Sequence, residues 1–351
     1  MALELLTLPA QMRSPAALTA SYLRELLPPS LTDALLQSCG IDPARLRQDI
    51  HYRIPLYQAY TLLGHYIEAS DDALIGIRHA HELSLRAFPW LGMGLLASTT
   101  LADGLQRLIE LDPLIWDGIG IALHLPDEPQ ADAALIMSPH LTMPPAVIEL
   151  ALAGWVLLGP ALWQFQGSGH RITFQHAARA PESAYEALFG CAVSFQAEAN
   201  AVYFPRAWLS QRLRFADPSA GAMILQEARR LLAEPVLLNL ENHLRAACFR
   251  AMPGPLPDTL ALAAALGMSA RQLRQSISER HLNLRSIHDA TRREAALYWL
   301  GQPDILLTDI ALACGFSEQS AFQRAFKRWT GLTPVQWQQQ TKALKKDPFF
   351  V

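Results

Sequence analysis

Asp309-Ile310-Ala311-Leu312-Ala313-Cys314-Gly315-Phe316-Ser317, continuing to Ser320-Ala321-Phe322-Gln323-Arg324-Ala325-Phe326-Lys327-Arg328, decides how the last third of this chain folds. Ile310, Ala311 and Ala313 make the apolar face of one short helix, for which Thr308 is the expected N-cap. A second helix is predicted from about Glu318 to Arg328, with Phe322 and Phe326 turned inward. A glycine between two short amphipathic helices allows the tight turn that sets one across the other. That is a helix-turn-helix, and its second helix has the geometry to enter a DNA major groove.

The pattern occurs once before, 48 residues upstream, where Leu262, Ala263 and Leu266 lead into Gly267-Met268-Ser269 and then Leu273 and Ile277. Gly267 matches Gly315, Met268 matches Phe316, and after one extra residue in the later copy Leu273 and Ile277 match Phe322 and Phe326. Between the copies, Asn283 to Leu300 carries Leu284, Ile287, Ala295 and Tyr298 near helical spacing, and Gly301 with Pro303 ends it. Such a rod would be about 27 Å long at ~1.5 Å per residue, close to the ~34 Å of one DNA turn. Two readers held that far apart can address successive major-groove segments on one face of the duplex.

With Ser269 as N-cap and Leu273 and Ile277 inward, the outward face of the first reading helix is Arg271, Gln272, Arg274 and Gln275. On the second it is Glu318, Gln319, Ser320, Gln323 and Arg324. Arg pairs bidentately with guanine and Gln with adenine, so these residue types suit base readout, although each could also be an ordinary solvated position. Lys327, Arg328, Arg292 and Arg293 suit phosphate contact or bracing of the fold.

The run from Asp309 to Ser317, its continuation from Ser320 to Arg328, and the closing Gly331, Thr333 and Pro334 resemble the signature of the AraC/XylS transcription regulators. The likeness spans about 80 residues and both repeats. It implies that Arg292 is a structural ion-pair partner, and that the protein is an activator more often than a repressor, with RNA polymerase as a partner if it activates. The first unit departs from the family's usual form: Gln275 and Ser276 stand where many members have two basic residues, and His281 stands where a glycine commonly follows the helix. The second unit is therefore expected to supply more of the binding energy.

From Leu256 to Val351 there are twelve Lys and Arg against eight Asp and Glu, which leaves seventeen against twenty-four for the rest of a 351-residue chain of net charge -3. A basic C-terminal third on an acidic body fits a DNA-binding domain joined to another. Cys39, Cys191, Cys248 and Cys314 lie far apart without a C-x-x-C, so neither zinc nor a disulfide framework is suggested and a reducing compartment is expected. With acidic Glu4 and no basic segment before an apolar one, no signal peptide is read. Leu150 to Trp163, with Pro160 inside it, is short of the ~20 residues that span a bilayer and reads as a buried helix. A cytoplasmic protein with no membrane partner is expected.

Residues 1 to about 17 have no clear periodicity. Helices are predicted within Ala20 to Cys39, parted by Pro28-Pro29, and at Leu56 to Ala69, Asp72 to His81, Leu101 to Leu111, Pro145 to Trp163 and Pro181 to Leu188. Strands are predicted at Ile119 to Leu125, Ala133 to Met137, His170 to His176 and Ala201 to Phe204. The stretches Cys39 to Pro43, Leu91 to Leu101 and Leu188 to Cys191 resemble the N-terminal domain of the ornithine-utilisation and quorum-sensing subgroup of the same family. That likeness implies an effector-sensing or dimerising role. Phe88, Trp90, Trp116, Asp117 and Trp155 could line a pocket, although aromatic residues in such a domain are more often plain core. His79-Ala80-His81 sets its imidazoles on different helix faces, a poor metal clamp. Asp112 and Asp117 have no nucleophile motif beside them, so no enzyme and no cofactor is expected.

The chain thus reads as an α+β sensing or dimerisation domain (1–205), a helical connector with a hinge at Pro253-Gly254-Pro255 (206–255), an all-α double helix-turn-helix domain (256–340) and a tail (341–351). The expected partners are double-stranded promoter DNA, RNA polymerase, a small-molecule effector and a second copy of the chain. The competing readings are a small-molecule-binding or metabolic protein with incidental DNA binding, and a constitutive DNA-binding dimer without a ligand.

Overall fold

The computed structural model describes residues 6–27, 32–49, 52–82, 98–162, 169–213, 218–302 and 305–344. Two compact units emerge, one from Ala16 to Glu234 and the other from Met1–Pro15 together with Pro235–Val351.

The first unit runs β1 (Ala17–Thr19), α1 (Ala20–Leu26), α2 (Asp33–Ser38), α3 (Pro43–Gln48), β2 (Arg53–Pro55), α4 (Leu56–Ser70), α5 (Ile75–Glu82) and α6 (Leu101–Leu111). It continues through β3 (Ile119–His124), β4 (Ala133–Pro139), α7 (Pro145–Leu162), β5 (Arg171–Thr173), α8 (Glu182–Phe189), β6 (Ala192–Ser194), β7 (Asn200–Phe204) and α9 (Pro218–Leu232). Five strands form one sheet in the order β3-β4-β7-β5-β6, antiparallel except for β5 beside β6. A separate antiparallel pair joins β1 to β2. The unit is α+β, as the spacing predicts.

The apolar run at Leu150 is a buried helix. In α7 the side chains of Val147, Leu150, Ala151, Leu152 and Ala153 are buried, and no described helix is long and apolar enough to cross a membrane. Helix α5 lies close against α7 because Gly76 has no side chain: a Cβ there would sit 2.1 Å from the Ala146 carbonyl oxygen.

One buried carboxylate stands out on α7. Glu149 is fully buried. It accepts a 2.9 Å hydrogen bond from the Tyr185 hydroxyl on α8, while His176 Nε2 at 3.7 Å and Arg179 Nη1 at 3.9 Å are more distant. Burial pushes its pKa up to about 7, against the opposing pull of Tyr185 and Arg179. An acid whose folded pKa exceeds its unfolded one binds an extra proton only in the folded chain, so its contribution to stability is lost as pH rises from about 4.5 to about 7. Replacing Glu149 with Gln is therefore expected to raise stability relative to the parent by about 2 kcal/mol more at pH 8 than at pH 5. Urea midpoints of both proteins at the two pH values test this, and parallel pH profiles would contradict it.

The second unit is helical: α10 (Pro235–Leu238), α11 (Leu240–Ala251), α12 (Thr259–Ala265), α13 (Ala270–Glu279), α14 (Leu284–Leu300), α15 (Leu307–Ala313), α16 (Gln319–Thr330) and α17 (Pro334–Leu344). Leu240, Leu244, Ala247 and Cys248 of α11 share one core with Leu262 and Ala263 of α12, Leu273 of α13 and Ile287 of α14. A buried ion pair between Arg245 on α11 and Glu294 on α14 adds a second tie between those two helices. Residues 6–15 are not loose: Leu6, Leu8 and Met12 are buried, Asn239 donates a 2.7 Å hydrogen bond to the Pro15 carbonyl, and Arg250 donates one of 2.9 Å to that of Arg13. Helix α15 begins differently from expectation. Its N-cap is Leu306, without a side-chain cap hydrogen bond, and Thr308 lies inside the first turn.

Candidate nucleic-acid interface

The two turns of the repeat close in the same way. Gly267 and Gly315 both take left-handed backbone, φ 68° and 77°, a region that carries a steric cost for any side chain. In each copy the residue after the glycine donates to the carbonyl five positions back, Met268 to Ala263 at 2.9 Å and Phe316 to Ala311 at 3.0 Å. This double closure satisfies the last carbonyls of the first helix and turns the chain sharply into the second. Gly315 has a further constraint, because a Cβ there would stand 3.0 Å from the Gly254 carbonyl oxygen.

Behind each reading helix lies an apolar seat. Phe322, Ala325 and Phe326 of α16 are buried with Ile310, Ala311, Ala313 and Cys314, and the rings of Phe316, Phe322 and Phe326 follow one another at 5.7 and 5.8 Å. On α13 the inward positions are Leu273 and Ser276, with Ile277 half-buried. Ser276 therefore turns toward the protein and is not part of the reading face.

On α13, Arg271, Gln272, Arg274 and Gln275 are all exposed. Ser269 is the N-cap and forms a capping box in which Gln272 Oε1 accepts from the Ser269 backbone amide at 2.9 Å and its hydroxyl at 2.7 Å. Gln275 donates from Nε2 to Glu279 Oε1 at 2.8 Å. Both glutamines of the first unit thus have partners within their own helix.

On α16, Glu318, Ser320, Arg324, Lys327 and Arg328 are exposed, and Gln319 and Gln323 half-buried. Ser320 donates to Glu318 at 3.2 Å and Arg328 reaches Asp289 at 3.3 Å. Gln319, Gln323, Arg324 and Lys327 have no protein partner among the described residues. Arg292, expected in an ion pair, has none among the described residues: its guanidinium lies 5.2 Å over the Phe316 ring.

His281, which follows the first reading helix as Gly331 follows the second, also takes left-handed backbone, φ 53° against 77°. A side chain in that region costs ~1–2 kcal/mol. His281→Gly is accordingly expected to stabilise the first unit by about 1 kcal/mol, read from the denaturant midpoint of the full chain, and an unchanged or lower midpoint would contradict it.

Of the five residues read as a pocket in the first unit, Phe88 and Trp90 lie outside the described residues. Trp116 is buried with its ring 5.9 Å from that of Tyr22 and 6.3 Å from that of Tyr60. Asp117 Oδ2 lies 3.1 Å from Arg53, whose guanidinium also donates to the Leu114 carbonyl at 2.9 Å and that of Pro113 at 3.0 Å. Asp112 is buried, and burial, with Asp117 nearby, holds its pKa well above the usual carboxylate range. Trp155 is half-buried against the same core.

Two family profiles match the chain: the arabinose-binding N-terminal domain of AraC transcription regulators over residues 32–213, and a helix-turn-helix domain over 262–340. The chain belongs to the AraC family of transcription regulators. It is a DNA-binding transcription regulator, and the helix-turn-helix match covers both reading helices. Among its relatives is the ornithine utilization regulator of Pseudomonas aeruginosa, 25% identical over 361 residues, spanning 93% of this chain and 99% of that protein. The HTH-type transcriptional regulator VirS of Mycobacterium tuberculosis is 26% identical over 204 residues, 58% of this chain and 59% of its own. The crystal structure of the regulator CdpR from Pseudomonas aeruginosa superposes with a TM-score of 0.43 at 18% identity, over 91% of this chain and 98% of that one. The arabinose-binding profile falls within the unit from Ala16 to Glu234 and the helix-turn-helix profile within the helical unit.

Proposed function

We propose that this AraC-family regulator binds a promoter operator through α13 and α16 in successive major-groove segments, with α14 setting their separation. The observation that carries this reading is the duplicated turn with exposed Arg and Gln beyond it. The 17 residues of α14 span about 25 Å, near one turn of duplex. Arg271, Gln272, Arg274 and Gln275 serve the first site, and Glu318, Gln319, Ser320, Gln323 and Arg324 the second, with Lys327 and Arg328 on phosphates. The regulator acts in the cytoplasm as an activator in contact with RNA polymerase. The unit from Ala16 to Glu234 senses a small-molecule effector and holds a homodimer, and the helical unit that begins at Pro235 binds DNA.

A thermal-shift titration of the full chain against amino acids and amines tests the effector part. The panel begins with ornithine, because the full-length relative is named for its utilisation. A ligand that binds only the folded chain raises the midpoint with concentration. An unchanged midpoint across the panel, with promoter binding intact, would replace the sensor with a constitutive DNA-binding dimer.

A further inference from the structure

A groove of about 530 Å³ lies between α14 and α16. Four guanidiniums line it, those of Arg285 and Arg292 from α14 and those of Arg324 and Arg328 from α16, with His288 and a single carboxylate, Asp289. Ala321 and Ala325, one helical turn apart on α16, leave the space between the helices open. Asp289 is taken up by Arg328 at 3.3 Å. Arg292 rests over Phe316, and its Nε is buried without a hydrogen-bond partner, as is Nε2 of His288. Burial, then the Arg292 charge, lowers the pKa of His288, which keeps that ring neutral near pH 7. Arg285 and Arg324 are exposed and have no protein partner among the described residues.

Four arginines against one carboxylate leave the groove lining with three uncompensated positive charges, whose mutual repulsion a bound anion would relieve. Planar forks that present several N–H groups match phosphate oxygens better than they match a halide or a bulky organic anion. The buried Arg292 Nε–H, left unpaired in the same groove, is a further driving force for an oxygen-bearing ligand.

We propose that the groove between α14 and α16 is a phosphate-binding site, in which Arg285 and Arg292 hold the anion. Its position beside the exposed face of α16 favours a backbone phosphate of the bound duplex as the source, and a free phosphorylated compound is the other source of the same chemistry. For the duplex source alone, the inference rests on α16 lying in the major groove.

The test uses the full chain and its Arg285→Ala and Arg285→Lys variants, because Arg285 belongs to neither reading face. Affinities for a promoter duplex and a random duplex are measured across a salt series, and binding of inorganic pyrophosphate is measured by calorimetry without DNA. If a duplex phosphate occupies the groove, Arg285→Ala weakens both duplexes alike and lowers the slope of log K against log salt by about one, while Arg285→Lys keeps the slope. If a free phosphate compound is the occupant, the slope stays and pyrophosphate binding is lost in Arg285→Ala. An unchanged slope together with unchanged or absent pyrophosphate binding overturns the site. Failure of base reading by α16 looks different: the parent would then bind promoter and random duplex equally, and the pyrophosphate titration decides the groove by itself.

Discussion

Glu294→Ala is expected to destabilise the DNA-binding unit by about 3–5 kcal/mol. Glu294 and Arg245 are both buried, and their ion pair joins α11 to the helix that links the two reading units. Removing the carboxylate leaves a guanidinium in the interior with its main counter-charge gone, and Nε of Arg245 already has no hydrogen-bond partner. Losses of that size are a large part of the ~5–15 kcal/mol that holds a domain folded. Promoter affinity should fall with the folded fraction, and both should recover if Arg245 is replaced by Leu in the same chain, since exchanging a buried pair for apolar side chains is commonly neutral. Urea unfolding of the single and double variants checks this. A single variant within about 1 kcal/mol of the parent would show that the pair contributes far less than breaking a buried pair normally costs.

The second large effect concerns the unequal strength of the two readers. Arg324→Ala should cost about 1–3 kcal/mol of promoter affinity, a weakening of roughly five- to 150-fold. Arg271→Ala should cost clearly less. Arg324 has no partner to give up before it reaches a base, and Gln319 and Gln323 on the same helix are equally uncommitted among the described residues. In the first unit, Gln272 is engaged in the capping box and Gln275 with Glu279. Reading adenine with either means breaking a bond made inside the helix, which offsets part of what the base contact gains. A gel-shift titration of the two variants on one promoter duplex measures the order. A larger loss for Arg271→Ala would reverse it.

Much of this was legible in the sequence because the turn chemistry is local. Gly267 and Gly315 announce a left-handed residue between two helices, and the inward spacing of Leu273, Phe322 and Phe326 needs no knowledge of the rest of the chain. The departure at His281 was visible too, and its backbone angle supplies the physical meaning. What was hidden depends on partners distant in the chain. Strands β1, β2 and β6 are three residues each, too short to show alternation, and exist only because neighbours pair with them. Residues 6–15 lack periodicity yet are tied down by Asn239 and Arg250, more than 200 residues away. Thr308 is a strong N-cap type, but α15 starts two residues earlier than that cap would allow, at Leu307 with Leu306 as its N-cap. The groove was missed for a related reason: Arg285 and His288 meet Arg324 and Arg328 only once α14 is laid against α16.

The central claim is that two reading helices address successive major-groove segments on one face of the duplex. Methylation-interference mapping of the full chain on bound promoter DNA tests it most directly. The account predicts two blocks of major-groove interference centred about ten base pairs apart on the same face, the stronger one assigned to α16 by its weakening in Arg324→Ala. A single block, or interference spread evenly without a preferred face, would contradict it.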